Sequence, residues 1–307
     1  MRKALLTVLL PAMLVAGGAR AEVDWSRVDA VMDREGAIIG EVHKYALPRD
    51  DLQVTLDGVE IRPALALGGW IAFQPMGDHS MMMGDLVLTE TEAAPVLRSL
   101  LADGVGVTGL HNHLLRATPA TLYMHVSGSG DPVVLARAVR EALAETKTPF
   151  APPKASSGAA GKSFDADGIS AILGAKGKNN DGVWQFSFPR PDEVRVAGVT
   201  MAPAMGVATA LNFEPTGEGT VAIAGDFVVL GKEVARLLKT LQSNGVEVMA
   251  LHNHMLSEEP RLFFVHVFAH DDARKLARAL RAGLDLFGSD RSSIQPAPGP
   301  GPARPSK

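Results

Sequence analysis

The 307-residue sequence contains no cysteine, which excludes a disulfide framework, a thiolate ligand and an acylated cysteine behind a signal sequence. It also lacks an apolar run long enough to anchor in a membrane, because the run at residues 4–15 is too short to span one. With Arg2-Lys3 before it and Ala19-Arg20-Ala21 after it, that run reads as a secretory signal peptide, residues 1–21, cleaved after Ala21. An excess of positive charge is missing too. The formal charge is −4, and losing Arg2, Lys3 and Arg20 with the signal takes it to −7; a domain that acidic is a poor nucleic-acid binder. The expectation is a periplasmic or secreted protein with no nucleic-acid partner and no membrane span after signal cleavage.

What is present is a duplication. Val-Thr-Gly-Leu-His111-Asn112-His113-Leu-Leu returns 141 residues later as Val-Met-Ala-Leu-His252-Asn253-His254-Met-Leu, and the same spacing carries Pro119 to Pro260 and His125 to His266. Six of the nine histidines therefore fall into three matched pairs. Two diverging copies in one chain keep what a common fold or site requires. With 46% hydrophobic and 21% charged residues, the chain can build two cored domains. The division read from composition is a signal peptide (1–21), a first repeat (25–148), a Pro/Ala/Ser/Gly-rich linker (149–166), a second repeat (167–288) and a Pro/Gly-rich tail (289–307) that cannot bury a core.

Each repeat opens with a helical pattern, followed by strands ending at Pro48-Arg49 and Pro189-Arg190. Period-two alternation at residues 51–59 and 193–199 predicts a further strand in each. Strands carrying Gly-Asp85 and Gly-Asp226 lead into helices that Gly104 and Gly245 terminate. Thr89 and Glu92 form a capping box at the first of these; in the second copy Glu233 persists but Leu230 replaces the threonine. The histidine strand, a loop, the third-histidine strand and a last helix, N-capped at Asp131, complete a β-α-β-β-α core. The fold class expected is α+β: two repeated α/β sandwich domains, each an antiparallel-rich sheet with helices on one face. Apolar residues on both faces of the histidine strand predict a central position for it in its sheet.

Side chains two apart on a strand share a face, so His111 and His113 project together while Asn112 points away. Pairing of His125 with His111 would bring three imidazoles to one point, as would the matching set His252, His254 and His266. Three histidines with an open fourth position suit a divalent metal, zinc first, whose bound water is acidified; iron, copper or nickel take the same nitrogens. Asp85 and Asp226, in otherwise apolar strands, are candidates to orient a ligating imidazole. Glu258 and Glu259 are the candidate catalytic carboxylates, since only the second copy has acids in the loop after the histidine pair. Packed, hydrogen-bonded histidines without metal are the competing reading. The triplet Met81-Met82-Met83 aligns with Ala222-Ile223-Ala224 in the other copy, which makes these core strand positions rather than soft ligands.

The blocks Gly-Asp85-Leu-Val-Leu, Val-Thr-Gly-Leu-His111-Asn-His113-Leu-Leu and Tyr-Met-His125-Val-Ser-Gly-Ser-Gly-Asp-Pro resemble the LppY/LpqO family of secreted bacterial proteins, over nearly the whole mature chain in two tandem copies. That family is a domain of unknown function, so the resemblance implies export and no catalytic residues; the acylated cysteine of its named lipoprotein members is missing here. Three functions are compatible with the sequence: a metal-dependent hydrolase or lyase of the cell envelope, a metal-binding protein without catalysis, and an envelope module binding a small-molecule or cell-envelope ligand with packed histidines. A lysostaphin-type peptidoglycan peptidase ranks lower, since it also needs an upstream His-x-x-x-Asp.

Overall fold

The computed structural model describes residues 23–150 and 164–287. The expected signal peptide, the central part of the linker and the tail lie outside the described residues. The first repeat runs α1 (Trp25–Met32), β1 (Ala37–Ile39), β2 (Val42–Pro48), β3 (Val54–Leu56), β4 (Val59–Ile61), α2 (Pro63–Ala66), β5 (Gly68–Pro75), β6 (Ser80–Thr89), α3 (Glu90–Ala102), β7 (Gly106–His111), β8 (Thr121–Gly130) and α4 (Pro132–Leu143). The second runs α5 (Ala166–Leu173), β9 (Lys178–Asn180), β10 (Val183–Pro189), β11 (Arg195–Val196), β12 (Val199–Thr200), a 3-10 turn (Pro203–Met205), β13 (Ala208–Pro215), β14 (Thr220–Leu230), α6 (Gly231–Ser243), β15 (Glu247–His252), β16 (Glu258–Glu259), β17 (Leu262–Asp272) and α7 (Ala273–Leu284).

Each repeat builds a six-stranded antiparallel sheet with the same strand order, β1-β2-β5-β6-β8-β7 and β9-β10-β13-β14-β17-β15. The fold is α+β, as expected. Strand alternation sends one set of side chains from each sheet toward its own helices. In the first repeat Leu86 and Leu88 of β6 and Met124 and Val126 of β8 pack with Val96 and Leu100 of α3 and Leu135 and Val139 of α4. In the second, Phe227, Val229, Val265 and Val267 pack with Leu237 and Leu241 of α6 and Leu276 and Leu280 of α7. The other face of each sheet is covered by the other repeat. Val87 and Tyr123 pack with Ala222, Ala224 and Phe268, and Ala72, Met81 and Met83 pack with Val228, Leu262 and Phe264. The layers run helices, sheet, sheet, helices.

The repeats also exchange short elements. Helix α2 packs on β13 and β14, and the 3-10 turn packs on β2 and β5. Asn212 Nδ2 donates to Leu65 O at 2.8 Å and Lys44 Nζ to Ala204 O at 3.0 Å, fastening each element to the opposite sheet.

Two expectations are corrected. The strands expected at 51–59 and 193–199 are each a two-stranded hairpin, broken where Asp57-Gly58 and Ala197-Gly198 turn with positive φ. The histidine strands β7 and β15 are edge strands, not central ones. Their apolar faces report cover by helices on one side and by the facing repeat on the other, and not the number of hydrogen-bonded neighbours.

Candidate metal centre

A bulge sets the site. In the β7–β8 ladder the register shifts between Val107 and Gly109, so His125 lies opposite Gly109 and His111 opposite Tyr123; β15–β17 repeats this with Ala250 opposite His266. The expected direct pairing of His111 with His125 is thereby corrected by two residues. The parity survives, since a two-residue offset keeps a side chain on its face. Space is tight at Gly109, where a Cβ would lie 3.0 Å from His125 Cδ2 and 3.3 Å from His111 Cε1.

The sequence led us to expect one three-histidine site per repeat; the structure draws all six histidines into a single cluster between the sheets. His111 and His252 face each other with ring centroids 3.6 Å apart. His113 stacks on His266 at 3.5 Å, and His125 lies against His254 at 3.9 Å. Exchanging the repeats maps each contact onto its counterpart, so a pseudo-twofold axis passes between His111 and His252. Outside this core Tyr123 stacks on His113 at 3.7 Å and Phe264 on His254 at 3.4 Å. The aromatic ring two residues before the third histidine, present in both copies, is a signal the sequence reading did not use.

The cluster contains two groups that could hold a metal ion, His111/His113/His125/His252 and His252/His254/His266, with ligand atoms within 4.8 Å of one another in each. In the first group Nε2 of His111 lies 2.9 Å from Nε2 of His113 and 3.0 Å from Nε2 of His125. Nitrogens on one tetrahedral zinc, at about 2.0–2.1 Å from it, sit about 3.3 Å apart, so a slight widening admits an ion. In the second group Nε2 of His252, His254 and His266 is buried with no hydrogen-bond partner, a cost that a ligated ion would remove. Burial pushes His111 down to about 4 and His252 to about 3. Burial, and then the neighbouring imidazoles, hold His113, His125, His254 and His266 well below the ordinary value. Neutral imidazole is the ligating form.

Asp85 and Asp226 pair across the ladder with the third histidines. Asp85 Oδ1 is 3.6 Å from His125 Nδ1, and Asp226 Oδ1 is 3.7 Å from His266 Nε2; both oxygens are sealed from solvent without a hydrogen bond. Burial, and then the charge of Asp226, raise Asp85 well above the usual carboxylate range, and burial brings Asp226 up to about 7.

The loop glutamates are placed differently. Glu258 is 3% exposed, and its carboxylate accepts Leu262 N at 3.0 Å and pairs with Arg261. Those bonds hold the loop, and β16 joins it to β11; Glu259 is exposed on the same short strand. Asn112 and Asn253 bond backbone, Asn112 Oδ1 accepting Leu114 N and Asn253 Nδ2 donating to Leu262 O.

No curated protein sequence matches the chain. Among solved structures it is similar to the trimeric bacterial microcompartment shell protein PduB at 14% identity, covering 82% of this chain and 89% of that one, with a TM-score of 0.20. It is similar to the regulatory subunit of aspartate kinase from Thermus thermophilus at 15% identity, 73% and 99% coverage and a TM-score of 0.19. EtuB from Clostridium kluyveri gives 9%, 81% and 90%, and 0.19. Overlaps this small carry no inference about fold or function. A family model described as Domain of Unknown Function (DUF1259) matches residues 26–145 and again residues 167–286. Those two matches fall on the two halves of the histidine cluster, and the chain belongs to that family as a tandem pair of its domains.

Proposed function

We propose that this is an exported metal-binding protein of the LppY/LpqO type in which both repeats jointly hold a transition-metal ion through imidazole nitrogens alone. One observation carries the reading: six neutral histidines converge about one axis, and three of their buried nitrogens lack any hydrogen-bond partner. Neutral nitrogen donors without carboxylate or thiolate favour zinc, copper or nickel over calcium or magnesium. Where no ion is bound, His111 Nε2 can accept from both neighbours only if His113 and His125 carry their protons on Nε2. With an ion on His125 Nε2 the ring proton would sit on Nδ1, 3.6 Å from Asp85 Oδ1, an arrangement common beside ligating histidines. Asp85 thus orients an imidazole; Asp226, which stands beside His266 Nε2, does the same only once the His266 ring turns over to present Nδ1 to it.

Hydrolase or lyase activity is the second reading. It is favoured by the three-histidine group, which leaves a fourth position open for water on an ion. Glu258, held by Leu262 N and Arg261, supports a loop-forming role better than that of a general base. The test is elemental analysis of the purified full chain after chelation and reloading with zinc. At least one ion per chain is expected, and its loss in a His111→Ala/His252→Ala double variant that still folds; a chain that stays metal-free after reloading ends the proposal.

A further inference from the structure

The two histidine groups are not independent, because His252 belongs to both. Its Nε2 is buried without a partner, and its Nδ1 lies 3.3 Å from Asn253 O, long for a hydrogen bond. A neutral imidazole offers one lone pair, so His252 can serve one ion at a time. Its counterpart His111 is not shared in this way. The Nε2 of His111 faces His113 and His125 of its own repeat at 2.9 and 3.0 Å. The pseudo-symmetry is therefore broken at the axis, with four imidazoles in one group and three in the other. The His252 ring centroid lies 3.6 Å from His111, 5.1 Å from His254 and 4.9 Å from His266, within reach of either set.

Resting on the metal-binding reading, we infer that His252 is an exchangeable ligand whose movement between the groups couples their occupancy and opens a coordination position on the ion held by the first repeat. With one ion bound, His111, His113, His125 and His252 close a tetrahedral shell and leave no place for water. A second ion at His254 and His266 competes for His252. When it takes that ligand, the first ion keeps three imidazoles and gains a vacant position, the arrangement in which a bound water or substrate oxygen is polarised. The second ion is thus a regulator of the first. No proton needs to be lost in the exchange, since His252 is neutral in both arrangements.

Cobalt(II) titration of the chelator-treated full chain tests this, followed by visible absorption and by calorimetry. The first equivalent is expected to give the intense band of tetrahedral cobalt. The second is expected to bind roughly 5- to 150-fold more weakly and to convert that band. Two equivalents of equal affinity, or a first band that the second leaves unchanged, overturn the coupling; the latter would mean an imidazolate bridging both ions. A single equivalent that His254→Ala leaves untouched overturns it as well. Absence of any cobalt binding defeats the metal reading itself, and the coupling with it. In His252→Ala the first equivalent should give from the outset the band that the second produces in the native chain, and be insensitive to the second. Should that variant not fold, His254→Ala must retain the first band and lose the second equivalent; any other pattern overturns the inference.

Discussion

Asp85 stands across the ladder from His125, and Asp226 from His266, each with a sealed oxygen that no donor reaches. If they orient ligating imidazoles, Asp85→Asn and Asp226→Asn should each weaken metal affinity about 10- to 100-fold. Competition with a chromophoric chelator measures this, and unchanged affinity in both would remove them from the centre. Other charged residues kept in both copies do structural work. Arg49, 1% exposed, donates to Val87 O at 2.7 Å, Glu92 at 2.8 Å and Asp51 at 2.8 Å. Arg190 makes the same set with Val228 O, Glu233 and Asp192. Glu92 and Glu233 in turn accept the N–H groups of Thr89 and Leu230 that open α3 and α6, so the capping expected for Glu92 also uses its arginine. Arg49→Ala should cost about 3–5 kcal/mol by stranding Glu92, read by denaturant unfolding. This network was invisible in the sequence because arginine and glutamate lie 43 residues apart, with no local period to connect them.

At the scale of elements, what was legible was local. The β-α-β-β-α order, the terminating Gly104 and Gly245 with positive φ and the Asp131 cap follow from periodicity and capping chemistry over a few residues. The bulge in β7, the hairpin at β3–β4 and the edge position of the histidine strands depend on pairing partners, and alternation alone does not specify those. One glycine needed for the central strand shows what packing demands: a Cβ on Gly84 would lie 2.3 Å from Ile71 Cδ1 and 2.8 Å from Trp70 O. The backbone oxygen cannot swing aside. Gly84→Ala should therefore lower stability by about 1–3 kcal/mol and loosen Asp85 beside it, so thermal unfolding and metal affinity should fall together.

For the whole molecule, the union of two triads was beyond the sequence because matched spacing says that two sites are alike, not that they touch. Among the described residues, two of the four hydrophobic clusters contain residues of both repeats, so the repeats should unfold in one cooperative transition. Two separated calorimetric transitions would contradict the shared interface. The acid response follows from the buried groups. Histidines held neutral in the fold take up protons on unfolding, so their stabilisation is complete above about 6.5 and is lost as pH falls toward about 4 for His111 and 3 for His252. Asp85 and Asp226 act oppositely, since raised values favour the fold as pH falls; for Asp226 the gain runs from about 7 toward 3.8, and for Asp85 it has the same sign. Six histidines outweigh two carboxyls, so the metal-free protein should lose thermal stability between about pH 6.5 and 4, and bound zinc should delay that loss. A melting temperature flat over this range would refute the burial of neutral histidines.

Tandem duplication normally supplies a spare, free to drift while its twin carries the work. An axis running between His111 and His252 removes that freedom. Each ring rests on one from the other repeat, so a lesion in either copy strips a neighbour from its twin and behaves as dominant over the intact half. Mutations at these positions should therefore be purged alike in both repeats, while the linker and the outward helix faces diverge. The duplication gives this chain two halves of one histidine cluster.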